Sequence, residues 1–191
     1  ETIEKFDETS MLDVLPSLNK QLSAEGLPSV SVGMGINSGP MNVGNMGSSF
    51  RMAYTVLGDA VNLANRLESL TKYYGCPLLV TEDLAHQVPE YLYRTLDKVQ
   101  VKGRSEAVII MQPVDLKEEC SQTQVDQVNL FEKAIGYYAE QQWNEAEGGF
   151  REYLACMPED RMSEIYLQRI KEFRETPPAV EWDAVYTHTS K

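Results

Sequence analysis

The stretch Tyr54-Thr55-Val56-Leu57-Gly58-Asp59-Ala60-Val61-Asn62-Leu63-Ala64-Asn65-Arg66-Leu67-Glu68 decides how this chain is read. Gly58-Asp59 has turn chemistry, and an acid just ahead of an apolar periodic run is expected to cap a helix. The spacing predicts that helix from Asp59 to about Tyr74, where Gly75 supplies a stop. Leu63, Leu67 and Leu70 form its core stripe. Asn62 and Arg66 are four residues apart and share one face, rotated about 100° from the stripe. They point along the edge of the core. On spacing alone two readings stand: Asn62 satisfies a backbone group and Arg66 pairs with Glu68 or Asp59, or both reach a ligand.

Toward the N terminus, residues 29–36 alternate strictly, with Val30, Val32, Met34 and Ile36 on one face and Ser31, Gly33 and Gly35 on the other. This predicts a strand with one small-residue face. Interior glycines weaken a strand and mark a place where another group approaches closely. Asn37-Ser38-Gly39-Pro40 has turn chemistry and Met41–Met46 resumes an extended run, so a hairpin across that turn is expected. Earlier still, Phe6, Met11, Leu12, Leu15, Leu18 and Leu22 recur near helical spacing. They predict a docked amphipathic helix from residue 4 to about 25, kinked at Pro16.

Toward the C terminus, Pro77–Thr81 reads as a short strand and Glu82–Val88 as a turn or two of helix. Tyr91–Val101 and Ala107–Val114 read as two more strands, joined by Lys102-Gly103-Arg104. Asp115–Gln127 is polar and nearly featureless, a linker. Beyond it, Ala134, Tyr137, Ala146, Phe150 and Pro158 match the spacing of a tetratricopeptide helix pair. Leu167, Ile170 and Phe173 add a third, capping helix, with Trp182 expected to pin the tail back. A single repeat of this kind reads first as a packing annex and second as a surface for a protein partner.

Composition sets bounds. The chain has 191 residues, 42% apolar and 24% charged, enough for one large domain or a small domain with an appendage. Seventeen Lys and Arg against 29 Asp and Glu leave a formal charge of −12, which repels phosphate backbones and argues against nucleic-acid binding. Apolar runs such as Ala107–Met111 fall far short of the roughly 20 residues needed to cross a bilayer. Cys76, Cys120 and Cys156 suit neither a disulfide framework nor a zinc site and fit a reducing, cytoplasmic setting. The charge is uneven, however: residues 29–75 sum to +1 and hold five of the 12 glycines between Gly33 and Gly47. A polyanionic ligand is least repelled there, although a buried core excludes acids equally well. Glu1 stands where an initiator Met would, with no leader behind it, so the chain is expected to be an excised piece of a longer protein.

The sequence contains no G-x-x-x-x-G-K-[ST] loop, no H-E-x-x-H and no G-x-S-x-G. Gly33, Gly35 and Gly39 fail the dinucleotide fingerprint in spacing and context. His86 and His188 have no partners in sequence and read as surface or packing residues. The run from Tyr54 to Glu68, by contrast, resembles the class III nucleotidyl cyclases, the adenylate and guanylate cyclase family. Gly33-Met34-Gly35-Ile36-Asn37-Ser38-Gly39, Val43-Gly44-Asn45-Met46-Gly47 and Val101-Lys102-Gly103-Arg104 extend the likeness over roughly residues 1–114. The resemblance implies an α+β, ferredoxin-like catalytic domain over 1–114 that lacks its first strands. A linker over 115–127 and a small all-α appendage over 128–191 complete the expected organisation.

It also implies a homodimer holding ATP or GTP across the subunit interface and converting it to the 3′,5′-cyclic monophosphate and pyrophosphate. Asn62 matches the asparagine that orients the ribose, and Arg66 the arginine that stabilises the transition state. Thr55 matches the position that reads the purine edge, where Thr favours ATP. Lys102 matches a lysine that contacts the polyphosphate, with Arg104 as a neighbour that could serve instead. Family members bind Mg (or Mn) through two aspartates on the first strands; neither has a counterpart here. No metal ligand is therefore assigned in this chain, and the chain alone is expected to be inactive. A non-catalytic nucleotide sensor or dimerisation module is the rival reading. An RNA-binding ferredoxin-like domain would need aromatic and basic residues on its sheet face. Diguanylate cyclases are set aside because their glycine-glycine-acid-acid signature is absent.

Overall fold

In the computed structural model, which describes residues 7–48, 50–100, 107–179 and 181–186, the glycine strand is shorter than expected and paired differently. β1 (Met34–Ile36) runs parallel to β4 (Leu78–Thr81), with Gly35 opposite Leu79. β4 is antiparallel to β6 (Ala107–Leu116), and β6 to β5 (Tyr91–Gln100), giving the order β1-β4-β6-β5. The hairpin expected across Asn37–Pro40 does not form. The strand after that turn, β2 (Asn42–Ser48), pairs instead with β3 (Arg51–Leu57) in a separate two-stranded sheet. The turn signal was real, but β4 takes the ladder of β1 and leaves β2 to find another partner. Gly47, at φ +141°, lets the returning strand close: a Cβ there would lie 2.0 Å from the Arg51 carbonyl oxygen.

α2 (Asp59–Tyr74) lies against β1 and β4 and buries Ala60, Leu63, Leu67, Thr71 and Tyr74. Leu70, expected in that stripe, is only partly buried, because the helix turns Thr71 and Tyr74 toward the sheet. Its start also differs from expectation. Gly58 is the N-cap, no side chain caps the helix, and Asp59 is the first helical residue, where its charge favours the positive end of the dipole. Gly75 ends it in the left-handed conformation, as the sequence predicted.

α1 (Asp7–Ala24) forms as predicted but is not docked: Met11, Val14 and Leu18 are exposed. The side-chain amide of Asn19 ties it to the backbone of Val30, donating from Nδ2 to the carbonyl at 2.9 Å and accepting at Oδ1 from the N–H at 2.7 Å. A six-residue helix, α3 (Glu82–Gln87), is capped by Thr81. No helix is long and apolar enough to cross a membrane among the described residues.

Three helices follow the sheet: α4 (Gln122–Ala139), α5 (Trp143–Cys156) and α6 (Arg161–Glu175). The stretch 115–127 expected as a linker instead carries the end of β6 and the first turns of α4. Ser121 and Gln124 start that helix with a reciprocal capping box, which offsets the lack of apolar periodicity in its first turn. Phe131, Phe150, Tyr153 and Tyr166 share one continuous core with Leu67 of α2 and with Leu79, Leu96 and Ile110 of the sheet. A buried ion pair crosses the same boundary, Arg94 of β5 to Asp160 at 2.7 Å. Trp182 packs against Tyr138 and Phe173 and pins the tail, and Tyr186 exchanges backbone hydrogen bonds with the edge of β5. The tail thereby covers one end of the β5 edge.

Candidate active site

The three glycines of the Gly33–Gly39 run serve a helix, not a phosphate. A Cβ on Gly35 would fall 2.3 Å from the Ala64 carbonyl oxygen and 2.4 Å from the Glu68 amide nitrogen. On Gly33 it would meet Thr71 Oγ1 at 2.2 Å, and on Gly39 the Ala60 methyl at 2.8 Å. The small face of the strand is the seat of α2. Asn37 secures the same helix from its loop, donating from Nδ2 to the Ala60 carbonyl at 3.1 Å while accepting from Thr81 Oγ1 at 2.9 Å. Sequence reading passed over Asn37 as a turn residue, since nothing local shows that its amide reaches 23 positions ahead.

On the helix so held, Asn62 is exposed and Arg66 half-buried. Neither side chain makes a hydrogen bond or ion pair among the described residues, so the ion pair of Arg66 with Glu68 or Asp59 is not formed. An amide and a guanidinium one turn apart, facing outward and uncommitted, can together offer directed donors to oxygens of a ligand.

Thr55 lies exposed on β3, directly opposite Gly44 of β2. Cross-strand partners share a face, so Thr55, Gly44, Arg51, Ser48, Met46 and Ala53 occupy one side of the hairpin. Val43, Val56, Tyr54 and Met52 occupy the other, and all four are exposed. Lys102 and Arg104 lie outside the described residues. No three His, Cys, Asp or Glu side chains converge on a point that could hold a metal ion among the described residues.

The sequence profile described as "Adenylate and Guanylate cyclase catalytic domain" matches residues 8–112. The chain is 36% identical over 146 residues to the terminal-differentiation specific adenylate cyclase of Dictyostelium discoideum, covering 74% of this chain and 7% of that protein. It is 44% identical over 115 residues to an adenylate cyclase of Anabaena cylindrica, covering 58% of this chain and 21% of that one. It thus spans a small part of the length of these curated relatives. Its fold is similar to the crystal structure of the adenylyl cyclase CyaB from P. aeruginosa, with a TM-score of 0.52 and 32% identity over 60% of this chain and 58% of that one. With a profile covering more than half of its residues and a matching fold, this chain belongs to the adenylate and guanylate cyclase catalytic domain family.

Proposed function

We propose that this chain is the C-terminal portion of an adenylate cyclase catalytic domain, together with a helical annex. The full-length protein converts ATP to 3′,5′-cyclic AMP and pyrophosphate at a dimer interface. The observation that carries this reading is the outward, unpaired presentation of Asn62 and Arg66 on a helix seated by glycines, in the one part of the chain that escapes the acidic charge.

Cyclisation joins the ribose 3′-oxygen to the α-phosphorus and releases pyrophosphate, and charge accumulates on the equatorial oxygens as the bond forms. The Arg66 guanidinium would meet that charge with two directed N–H groups, which a lysine ammonium matches poorly. Asn62 would hold the ribose so that the 3′-oxygen is aligned, a contribution of position and not of charge. Thr55, on the hairpin face it shares with Arg51 and Ser48, would read the purine edge in favour of ATP over GTP. Lys102, or Arg104 beside it, would hold the polyphosphate. The divalent cation would be bound by groups this chain does not supply, so the chain alone would not turn over.

Arg66→Ala in the full-length protein tests this. Loss of a charge-stabilising donor of this kind lowers turnover about 100- to 1000-fold. Cyclic AMP formation should fall by that factor while the melting temperature changes little, since the Arg66 side chain makes no hydrogen bond or ion pair among the described residues. Turnover at the wild-type rate would remove Arg66 from the mechanism and return the chain to the sensor reading.

A further inference from the structure

Tyr74 closes the helix that carries Asn62 and Arg66. It is wholly buried, and its hydroxyl donates to Asp97 Oδ2 at 2.9 Å. Asp97 sits on β5 just after Leu96, the extra residue of a bulge in the ladder with β6. The annex grips the same carboxylate: Arg169 of α6 donates from Nη1 to Oδ1 at 3.0 Å and from Nη2 to Oδ2 at 2.7 Å. These two side chains are only 3% and 1% exposed. The Tyr186 ring lies 3.6 Å from the guanidinium carbon, and the Tyr166 hydroxyl donates to the Leu96 carbonyl at 2.8 Å. One hydroxyl and one carboxylate thus fasten the end of α2 to the last helix of the annex.

Tyr74 lies eight residues beyond Arg66, about 12 Å along the helix axis at 1.5 Å per residue. The seat made by Gly33 and Gly35 contacts Ala64, Leu67, Glu68 and Thr71, beside Arg66 on one side and short of Tyr74 on the other. A helix resting on such a seat is free to tilt unless its far end is tied, and a tilt there displaces Asn62 and Arg66. We propose that Tyr74, Asp97 and Arg169 are positioning residues for the cyclase reaction, through which the annex sets the angle of α2 and so the placement of Arg66. This rests on the reading of Arg66 as a group that meets the reacting phosphate. It gives the annex a role in turnover that needs no outside partner.

Tyr74→Phe in the full-length protein removes one hydroxyl and keeps the ring. A misplacement of about 1 Å costs up to about 100-fold in rate, so a partial release should lower kcat about tenfold while KM for ATP changes less than twofold. Arg169→Lys, which keeps the charge but loses the fork, should fall between wild type and Arg169→Met. In an Arg66→Ala background Tyr74→Phe should cost much less than in the wild type, because most of its influence runs through Arg66 and only the part carried by Asn62 remains. Arg169→Met strands a buried carboxylate and is the variant most exposed to misfolding; Tyr74→Phe and Arg169→Lys carry the test without it. Wild-type kcat for Tyr74→Phe, assayed well below its melting temperature, overturns the proposal. An undiminished further loss in the Arg66→Ala background overturns it as well, since a purely structural defect would act on either background. Should Arg66→Ala itself retain turnover, the reading of the site fails first.

Discussion

Gly35 stands so close to Glu68 that a Cβ built on it would lie 2.4 Å from the Glu68 amide nitrogen, well inside any contact that real side chains make. The neighbour is helix backbone and cannot rotate away. Gly35→Ala must therefore lift α2 off β1, and forcing one methyl into a tight contact costs about 1–3 kcal/mol. Gly35→Ala is expected at the upper end of that range in urea unfolding, and activity should fall more than stability because Asn62 and Arg66 ride on the displaced helix. Gly44→Ala is the control: its Cβ meets nothing within 4 Å. Equal melting of the two variants would show that the seat is softer than the geometry implies.

Two adjacent glycines in α5 make the opposite pair. Gly148 faces open space, while a Cβ on Gly149 would touch that of Ala134 on α4 at 2.8 Å. In a helix interior, alanine is favoured over glycine by about 0.8–1 kcal/mol. Gly148→Ala should therefore stabilise the chain by roughly that amount, and Gly149→Ala should destabilise it by about 1–3 kcal/mol through overpacking of the helix crossing. Differential scanning calorimetry of the two variants should give melting shifts of opposite sign.

The helix from Asp59 to Tyr74 was legible because its stripe and its glycine stop are local signals. So were the strands at 78–81 and 107–116, where apolar residues dominate, and at 91–100, which is rich in aromatic and aliphatic residues. The pairing of β2 was not legible. A turn signal at Asn37–Pro40 says that the chain bends but not which strand it meets next, and partner choice is a property of the whole sheet. The position of α1 was not legible: its apolar face is genuine, yet Met11 and Val14 stay exposed. Of the site, Asn62, Arg66 and Thr55 could be named because a linear motif carries them. Asn37, Tyr74, Asp97 and Arg169 could not, since their partners lie 23 to 72 positions away. Asp160 and Arg169 of the annex join its aromatic residues in binding it to the sheet.

Alkaline pH should loosen the fold. Burial, aided by Tyr91 and Glu90, pushes the Tyr93 hydroxyl up to about 12, and burial holds Tyr74 and Tyr166 well above the ordinary tyrosine value. An unfolded chain releases those protons near pH 10, whereas the native state keeps them. Between about pH 10 and 12 the unfolded state therefore binds fewer protons, and stability present below pH 10 is lost as pH rises. Urea midpoints should fall across that window. Tyr93→Phe, which keeps the ring but loses the hydrogen bond to the Val88 carbonyl at 2.9 Å, should start lower and fall less steeply. An identical slope in the variant would assign the alkaline loss to other groups.

The hairpin should betray the dimer interface. Phe50 is 97% exposed, Tyr54 75% and Met52 64%, and register places Tyr54 and Met52 on one face with Val43 and Val56. Exposed apolar side chains contribute nothing to the fold of a lone chain, so Tyr54→Ser with Met52→Ser should leave its unfolding free energy within about 0.5 kcal/mol. If a second copy covers this face, the same change removes apolar area from the interface and weakens association by well over tenfold, each buried aromatic or Met contributing about 1.5–3 kcal/mol. Sedimentation equilibrium of the full-length protein should then show a dimer for wild type and a shift to monomer for the double variant. Turnover should follow the dimer fraction if, as proposed, Asn62 and Arg66 act on a nucleotide that the opposite subunit helps to hold. Unchanged association would move the interface off this hairpin and leave its apolar face to another covering surface.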